Sequence, residues 1–337
     1  MNKKARLRAA IDGRQVDRIP VSVWYHLSAI DQDSLKLAQA TADITKKFDF
    51  DFVKMMPFGL YSAADLGAEI NYFSLRGKPP VVKAPGIRTE ADYLRLPHVD
   101  VKDGAYGRQL VFAEELAKQL PEDVPFIQTI FSPLTTLHKL AGDRLFKDLA
   151  TVPDAVHHAL EAITEITVMF AQENIRRGVS GFFFATQEAR RDLLSLDAFR
   201  TFAEPYDLAV QQSYVGRTWF NVTHLHGLDV YFEEIATKYP GNVINWHDQH
   251  TFPSISEAKK LTNKALLAGL AAADTVVGGK KVRDDIVLNG TPAAIAAAVK
   301  RAIAASGGRS FILGPGCVVD QFVSEENLLA VRKAVEL

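Results

Sequence analysis

The chain has 337 residues, 47% of them hydrophobic and 23% charged, a profile that fits an ordinary globular protein and excludes a disordered or fibrous one. Its 39 Lys and Arg against 40 Asp and Glu leave a net charge of -1, so no bulk positive field draws in nucleic acid or an anionic membrane. A single cysteine, Cys317, excludes an internal disulfide and a thiolate-only metal cluster, and with no signal peptide or membrane-length apolar run the expected location is the cytoplasm.

In chain order, short apolar runs alternate with longer amphipathic stretches, the pattern of strand-helix units around a parallel sheet. The predicted strands are residues 19–24, 52–56, 125–131, 181–185, 217–222, 242–246, 265–268 and 310–313. Between them lie predicted helices. Residues 153–177 carry Val156, Leu160, Ile163, Ile166 and Phe170 near helical spacing and stop at Gly178, and the alanine-rich residues 292–305 stop before Gly307-Gly308. Eight strands in this alternation predict one (β/α)8 barrel domain over residues 1–337. An open doubly wound sheet would call for a phosphate-binding glycine signature, and neither Gly278-Gly279 nor Gly307-Gly308 has that spacing. Residues 58–110 are too long for a plain crossover and predict an insertion after the second strand, a lid or an edge hairpin.

A barrel of this kind presents its chemistry at the C-terminal ends of its strands. Those ends carry His26 after the first strand, which closes on Trp24, and Gln187-Glu188 after the fourth. His224-Leu-His226 follows the fifth, His247-Asp248 the sixth and Gly316-Cys317 the eighth. In an extended segment residues two apart face the same side, so His224 and His226 can address one ion. With the Cys317 thiolate they make a Zn2+ site of catalytic type, whose fourth position falls to Asp248, Glu188, water or substrate. The competing reading is of hydrogen-bonded loop residues around a small buried thiol.

Spaced motifs along nearly the whole chain add a resemblance. Gly13-Arg-Gln-Val-Asp-Arg-Ile-Pro-Val21, Ser132-Pro-Leu-Thr135, Ser180-Gly-Phe-Phe-Phe-Ala-Thr-Gln-Glu188, His224-Leu-His-Gly227 and Gly314-Pro-Gly-Cys317 occur in the order found in the uroporphyrinogen decarboxylase superfamily. Within it the chain resembles the zinc-dependent methyltransferases that act with corrinoid proteins or thiol acceptors. The resemblance implies a (β/α)8 barrel, metal ligands at His224, His226 and Cys317, and methyl transfer involving a corrinoid protein or a methoxylated compound and a small acceptor.

Two departures refine this expectation. The family's decarboxylase holds its tetrapyrrole with an arginine-rich loop and an aspartate; here those places read Trp24-Tyr-His-Leu27 and Met55-Met-Pro-Phe58, which argues against uroporphyrinogen as substrate. His226 stands where the methyltransferases show a metal cysteine, which removes one negative charge from the ligand set and makes the ion a stronger Lewis acid. A zinc-dependent lyase or hydrolase acting on a small carboxylate, and a non-catalytic corrinoid or small-molecule carrier, are the rival readings.

The remaining polar residues have assigned expectations. Asp248, Glu188 and His247 are the candidate acid-base groups, and His26, Trp24 and Gln187 the candidate substrate contacts. Glu188 has an alternative surface pairing with Arg190 or Arg191. His157-His158 reads as surface, Met55-Met56 and residues 182–184 as strand core, and Trp24, Tyr25, Phe58 and Tyr61 as an apolar wall.

Overall fold

A computed structural model describes residues 1–72, 79–277 and 280–336. Three short strands open the order: β1 (Val53–Lys54), β2 (Glu69–Asn71) and β3 (Val81–Ala84). Then come β4 (Phe126–Phe131), β5 (Gly181–Thr186), β6 (Val222–Leu225), β7 (Val243–Asn245) and β8 (Ala265–Leu270), followed by β9 (Ala272–Val277), β10 (Lys280–Asp285) and β11 (Phe311–Pro315). Seven of them, in the order β1-β4-β5-β6-β7-β8-β11, form one sheet, and every pairing in it is parallel. Helices such as Pro153–Arg176 and Pro292–Ser306 occupy the crossovers, and among the described residues no helix is long and apolar enough to cross a membrane.

The first predicted strand, residues 19–24, is not a regular member of this sheet. Pro20 has no amide hydrogen to donate, so the ladder breaks into isolated parallel bridges, Val21 with Leu313 and Tyr25 with Val319. The segment still lies between the two sheet edges. Leu313 donates to the Pro20 carbonyl at 2.8 Å on one side, and Asp51 donates to the Val21 carbonyl at 2.9 Å on the other. The Asp17-Arg18-Ile19-Pro20 motif anchors it from below: fully buried Asp51 accepts from Arg6 at 2.7 Å, from Arg18 and from the Val21 amide at 2.8 Å, while Asp17 pairs with Arg6.

Residues 58–110 hold the antiparallel pair β2-β3 and the helices Tyr61–Ala64, Glu90–Tyr93 and Gly104–Gln119. A second antiparallel pair, β9-β10, was not expected from the sequence. The Gly278-Gly279 dipeptide between these strands is a hairpin signal, although those two residues lie outside the described ones.

The strands place residues in layers because alternate side chains face the same side. Phe52, Ile127, Val222, Val243, Leu267 and Ile312 join one buried apolar cluster. Two residues onward, Lys54, Thr129, His224 and Asn245 form a polar layer toward the C-terminal ends of the strands. A separate, larger apolar cluster packs the helices on the outer face, with Phe182, Phe184 and Met55 among its members.

Candidate metal centre

Strand β6 starts later than the predicted residues 217–222, because Thr218 and Asn221 bond to each other at 2.9 Å and the Asn221 side chain occupies the Phe182 amide. The shift puts His224 inside the strand and His226 one residue beyond it. In the parallel register His224 lies beside Asn245 of β7, and the two side chains meet on the inner face. Asn245 donates from Nδ2 to the Leu267 and Pro315 carbonyls at 2.6 and 3.1 Å, which fixes its Oδ1 as the acceptor for His224 Nδ1 at 2.6 Å. The ring of His224 is thereby held with Nε2 as its ligand atom. Phe183 stacks against it at 5.1 Å.

His247 follows Asn245 by two residues, and Cys317 follows the last residue of β11 by two. Gly316 makes their approach feasible: its amide donates to Leu270 at 3.0 Å, and a Cβ there would lie 3.0 Å from the Trp246 carbonyl and 3.1 Å from the His247 Cα. As a result His224, His226, His247 and Cys317 each offer a ligand atom, all within 4.8 Å of one another. His224 and His247 are buried, whereas His226 and Cys317 are half-buried and face the opening. Cys317 Sγ lies 3.5 Å from His226 Nδ1. Burial opposes ionisation of the thiol, yet the charge of His226, whose Nδ1 it faces, holds its pKa well below the ordinary value. Burial keeps His224 neutral, with a pKa lowered to about 4. The two ring nitrogens of His247 are buried without a hydrogen-bond partner. A buried imidazole with both nitrogens orphaned, beside a thiolate and two further imidazoles, fits a borderline-soft divalent cation such as zinc.

The cluster borders a cavity of about 280 Å³ whose lining includes Trp24, His26, Lys54, Lys139, Gln187 and Phe183. The three expected substrate contacts, Trp24, His26 and Gln187, therefore share one wall with His224, His226 and Cys317. His26 Nδ1 is buried and unpartnered, and burial, helped by Lys54, lowers the His26 pKa to about 4. Of the expected apolar wall only Trp24 lines this cavity; Phe58 and Tyr61 are core residues, and Tyr61 donates to the Thr129 carbonyl at 2.9 Å.

Other expected residues lie apart from the four-donor group. Asp248 is buried with Oδ1 accepting from the Gly269 amide at 3.2 Å and Oδ2 from Gln249 at 2.5 Å, and burial raises its pKa to about 6. Glu188 is buried too, but accepts from Thr135 Oγ1 and faces His138 Nδ1 at 3.0 Å, while Arg190 pairs with Asp192 and Arg191 with Asp229. The hydrogen bond from Glu188 outweighs burial and raises the His138 pKa. His157 is half-buried, stacked on Phe202 at 4.6 Å and bonded to the Tyr206 hydroxyl at 2.7 Å. Sequence reasoning passed over Lys54, Lys139 and the Asn245 brace. The i, i+2 spacing of Asn245 and His247 was the available signal.

Comparison with known proteins decides the family. The uroporphyrinogen decarboxylase (URO-D) profile matches residues 2–337. The chain belongs to the URO-D family. Among curated proteins, this URO-D chain is 25% identical over 228 residues to the methylcobamide:CoM methyltransferase MtaA of Methanosarcina barkeri, covering 60% of the chain and 63% of that relative. A solved methyltransferase from Methanosarcina mazei shares the fold, with a TM-score of 0.82 at 20% identity over 99% of this chain and 98% of its own. A B12-independent methionine synthase from Shewanella sp. W3-18-1 is a more distant fold relative, with a TM-score of 0.55 at 13% identity over 94% of this chain and 90% of its own.

Proposed function

We propose that this URO-D chain is a zinc-dependent methyltransferase that moves a methyl group between a methylated corrinoid protein, or a methoxylated compound, and a small acceptor. The observation that carries the reading is the four-donor group of His224, His226, His247 and Cys317 at the C-terminal end of the parallel sheet, opening onto a cavity of small-molecule size. The methyltransferase named among its relatives supports the reaction class. In this reading residues 19–25 complete a closed (β/α)8 barrel as its irregular eighth member, and 58–110 is an insertion over the cavity side.

His224, His226 and Cys317 are the metal ligands and His247 the fourth donor. A zinc ion held there supplies a Lewis acid that lowers the pKa of a ligated thiol or oxygen. Asn245 keeps Nε2 of His224 unprotonated and aimed inward. His226, in the place of a second thiolate, leaves the donor set with three neutral imidazoles and one negative sulfur, a choice that favours Lewis acidity over sulfur nucleophilicity. Trp24, His26 and Gln187 bound the acceptor. The cavity of about 280 Å³ suits a small acceptor, so the bulky corrinoid reaches its mouth on a separate protein. Glu188, tied to Thr135 and His138, acts as the acid-base group nearest the Gln187 wall.

The test couples metal and turnover. Zinc-loaded protein is expected to bind one ion per chain and to demethylate methylcobalamin in the presence of a small acceptor, followed by the cobalamin absorbance change; Cys317→Ala is expected to lose both. Full zinc binding by Cys317→Ala, or a zinc-loaded chain inert toward methylcobalamin and methoxylated aromatics alike, overturns the reading.

A further inference from the structure

A line of hydrogen-bonded side chains runs from beside the cavity wall to the protein surface, and the chemistry described so far uses only its inner end. That end is Glu188, whose neighbour Gln187 lines the cavity. Glu188 Oε2 accepts from Thr135 Oγ1, which itself accepts from the Gln187 amide at 3.0 Å. Glu188 Oε1 faces His138 Nδ1 at 3.0 Å, and the other ring nitrogen, Nε2, faces Asp143 Oδ1 at 3.2 Å. Exposure climbs along the line, from 2% for the Glu188 side chain through 25% for His138 to 99% for Asp143.

Local structure builds this arrangement. Thr135 and His138 stand three residues apart in the helix Pro133–Ala141, so both reach Glu188 from one face. Gly142 ends that helix at a φ of +64°, and its amide donates to the His138 carbonyl at 2.7 Å, which brings Asp143 back beside the ring. Phe146 packs edge-on against the imidazole at 4.8 Å, and the two ring nitrogens point to different carboxylates. Among the described residues His138 is the one ion-pair partner of Glu188. The charge of Glu188 is also felt by Lys139 on the cavity wall, by His226 of the four-donor group and by buried Asp207.

Methyl transfer to a neutral thiol or alcohol frees a proton in every turnover. The bond from the heteroatom to hydrogen breaks, its bond to the methyl carbon forms, and the electron pair of the cobalt–carbon bond stays on cobalt. A donor protein seated on the mouth closes the direct way out, and a buried carboxylate that has taken one proton accepts no second until the first has left. We propose that His138, assisted by Asp143, is a relay that clears this proton from Glu188 to solvent. The proton passes from Glu188 Oε1 to His138 Nδ1, the ring gives up the proton on Nε2 past Asp143 to water, and tautomer exchange through solvent resets the ring. Glu188 and then Asp143 raise the His138 pKa against burial, which brings its exchange closer to neutral pH. Neither His138 nor Asp143 lines the cavity, so both act through Glu188 as positioning residues. The inference rests on the methyltransferase reading for the source of the proton; the route itself stands on the hydrogen-bonded line.

Proton release on thiol binding tests the relay without requiring methyl transfer. The metal-loaded full chain is mixed rapidly with mercaptoethanol in weak buffer containing a pH indicator, and ligation is followed in parallel by the absorbance of the cobalt-substituted protein. Wild type is expected to release about one proton per ligated thiol, at the rate of ligation. In H138Q the amide can still donate to Glu188 but passes no proton through. It is expected to keep its metal content and thiol affinity while the proton appears at least about tenfold more slowly. H138A is expected to show the same lag, shortened by added imidazole, which a purely structural role for His138 would not produce. Release at the wild-type rate in H138Q, or a lag in H138A that imidazole leaves unchanged, overturns the relay whatever methyl transfer shows. Thiol ligation by wild type without proton release, or no ligation at all, overturns it too. The expected lag and rescue in a chain inert toward methylcobalamin support the relay, and the methyltransferase reading then fails alone.

Discussion

Asn245 Oδ1 accepts the Nδ1 proton of His224 at 2.6 Å, and the Asn245 amide nitrogen is itself tied to two carbonyls from neighbouring strands. One side chain thus links β6, β7, β8 and β11 at the depth of the four-donor group. The register that pairs His224 with Asn245 makes a contact between two parallel strands into a device that orients the His224 ring.

Asn245→Ala removes that device. Zinc affinity, measured by competition with a chromophoric chelator, is expected to fall by about 10- to 100-fold. Stability is also expected to drop, by about 1–3 kcal/mol, because the His224 Nδ1 and two backbone carbonyls lose their partners in a buried layer. Unchanged zinc affinity would show that the His224 ring is oriented by packing against Phe183 instead.

Histidine 247 and its neighbour Asp248 make a discriminating pair. Both Asp248 oxygens are engaged, by Gly269 and Gln249, while both His247 nitrogens are unpartnered. Asp248→Asn is therefore expected to retain one zinc per chain, and His247→Ala to lose zinc or bind it at least about tenfold more weakly, read by metal analysis after dialysis. The opposite ranking would return Asp248 to the ligand set.

Lys54 carries a pH signature in stability. Burial lowers its pKa from 10.5 to about 7, so between those values the unfolded chain holds a proton that the folded chain has released. Stability linked to this group therefore rises as pH increases from about 7 toward about 10, and the cost of burying the charge is at its fullest below about 7. In urea unfolding of the ligand-free protein, K54M is expected to be more stable than wild type at about pH 6 by on the order of a few kcal/mol, with the gap closing toward about pH 9. A gap independent of pH would mean that the lysine is solvated.

Gly181, the first residue of β5, tests the sheet itself. A Cβ at this position would lie 1.9 Å from the Phe220 carbonyl oxygen and 2.8 Å from Asn221 Oδ1. Backbone must move to admit it, at the point where Phe220 and Trp219 donate to the Ser180 carbonyl. Gly181→Ala is expected to cost about 2–4 kcal/mol in denaturant unfolding and to disturb the entry of β6, two residues upstream of His224. Wild-type stability in this variant would mean that the β5-β6 junction is looser than its packing indicates.

Local physics made much of this protein legible in its sequence. Strand-helix alternation, the stop of the helix Pro153–Arg176 before Gly178 and the left-handed cap at Gly307 all follow from spacing and backbone preference within a few residues. The same short range explains why His224 and His226 could be assigned to one face. It does not reach across strands. Whether Cys317 meets His226, whether His247 joins them and Asp248 turns to Gly269, and which cavity encloses Lys54 and Lys139 all depend on strand order and register, set by long-range pairing of β7 with β6 and of β11 with β8. The chain's own letters also could not show that residues 19–25 would span the sheet edges with broken pairing, because a proline's missing donor matters only once a neighbouring strand is there to miss it.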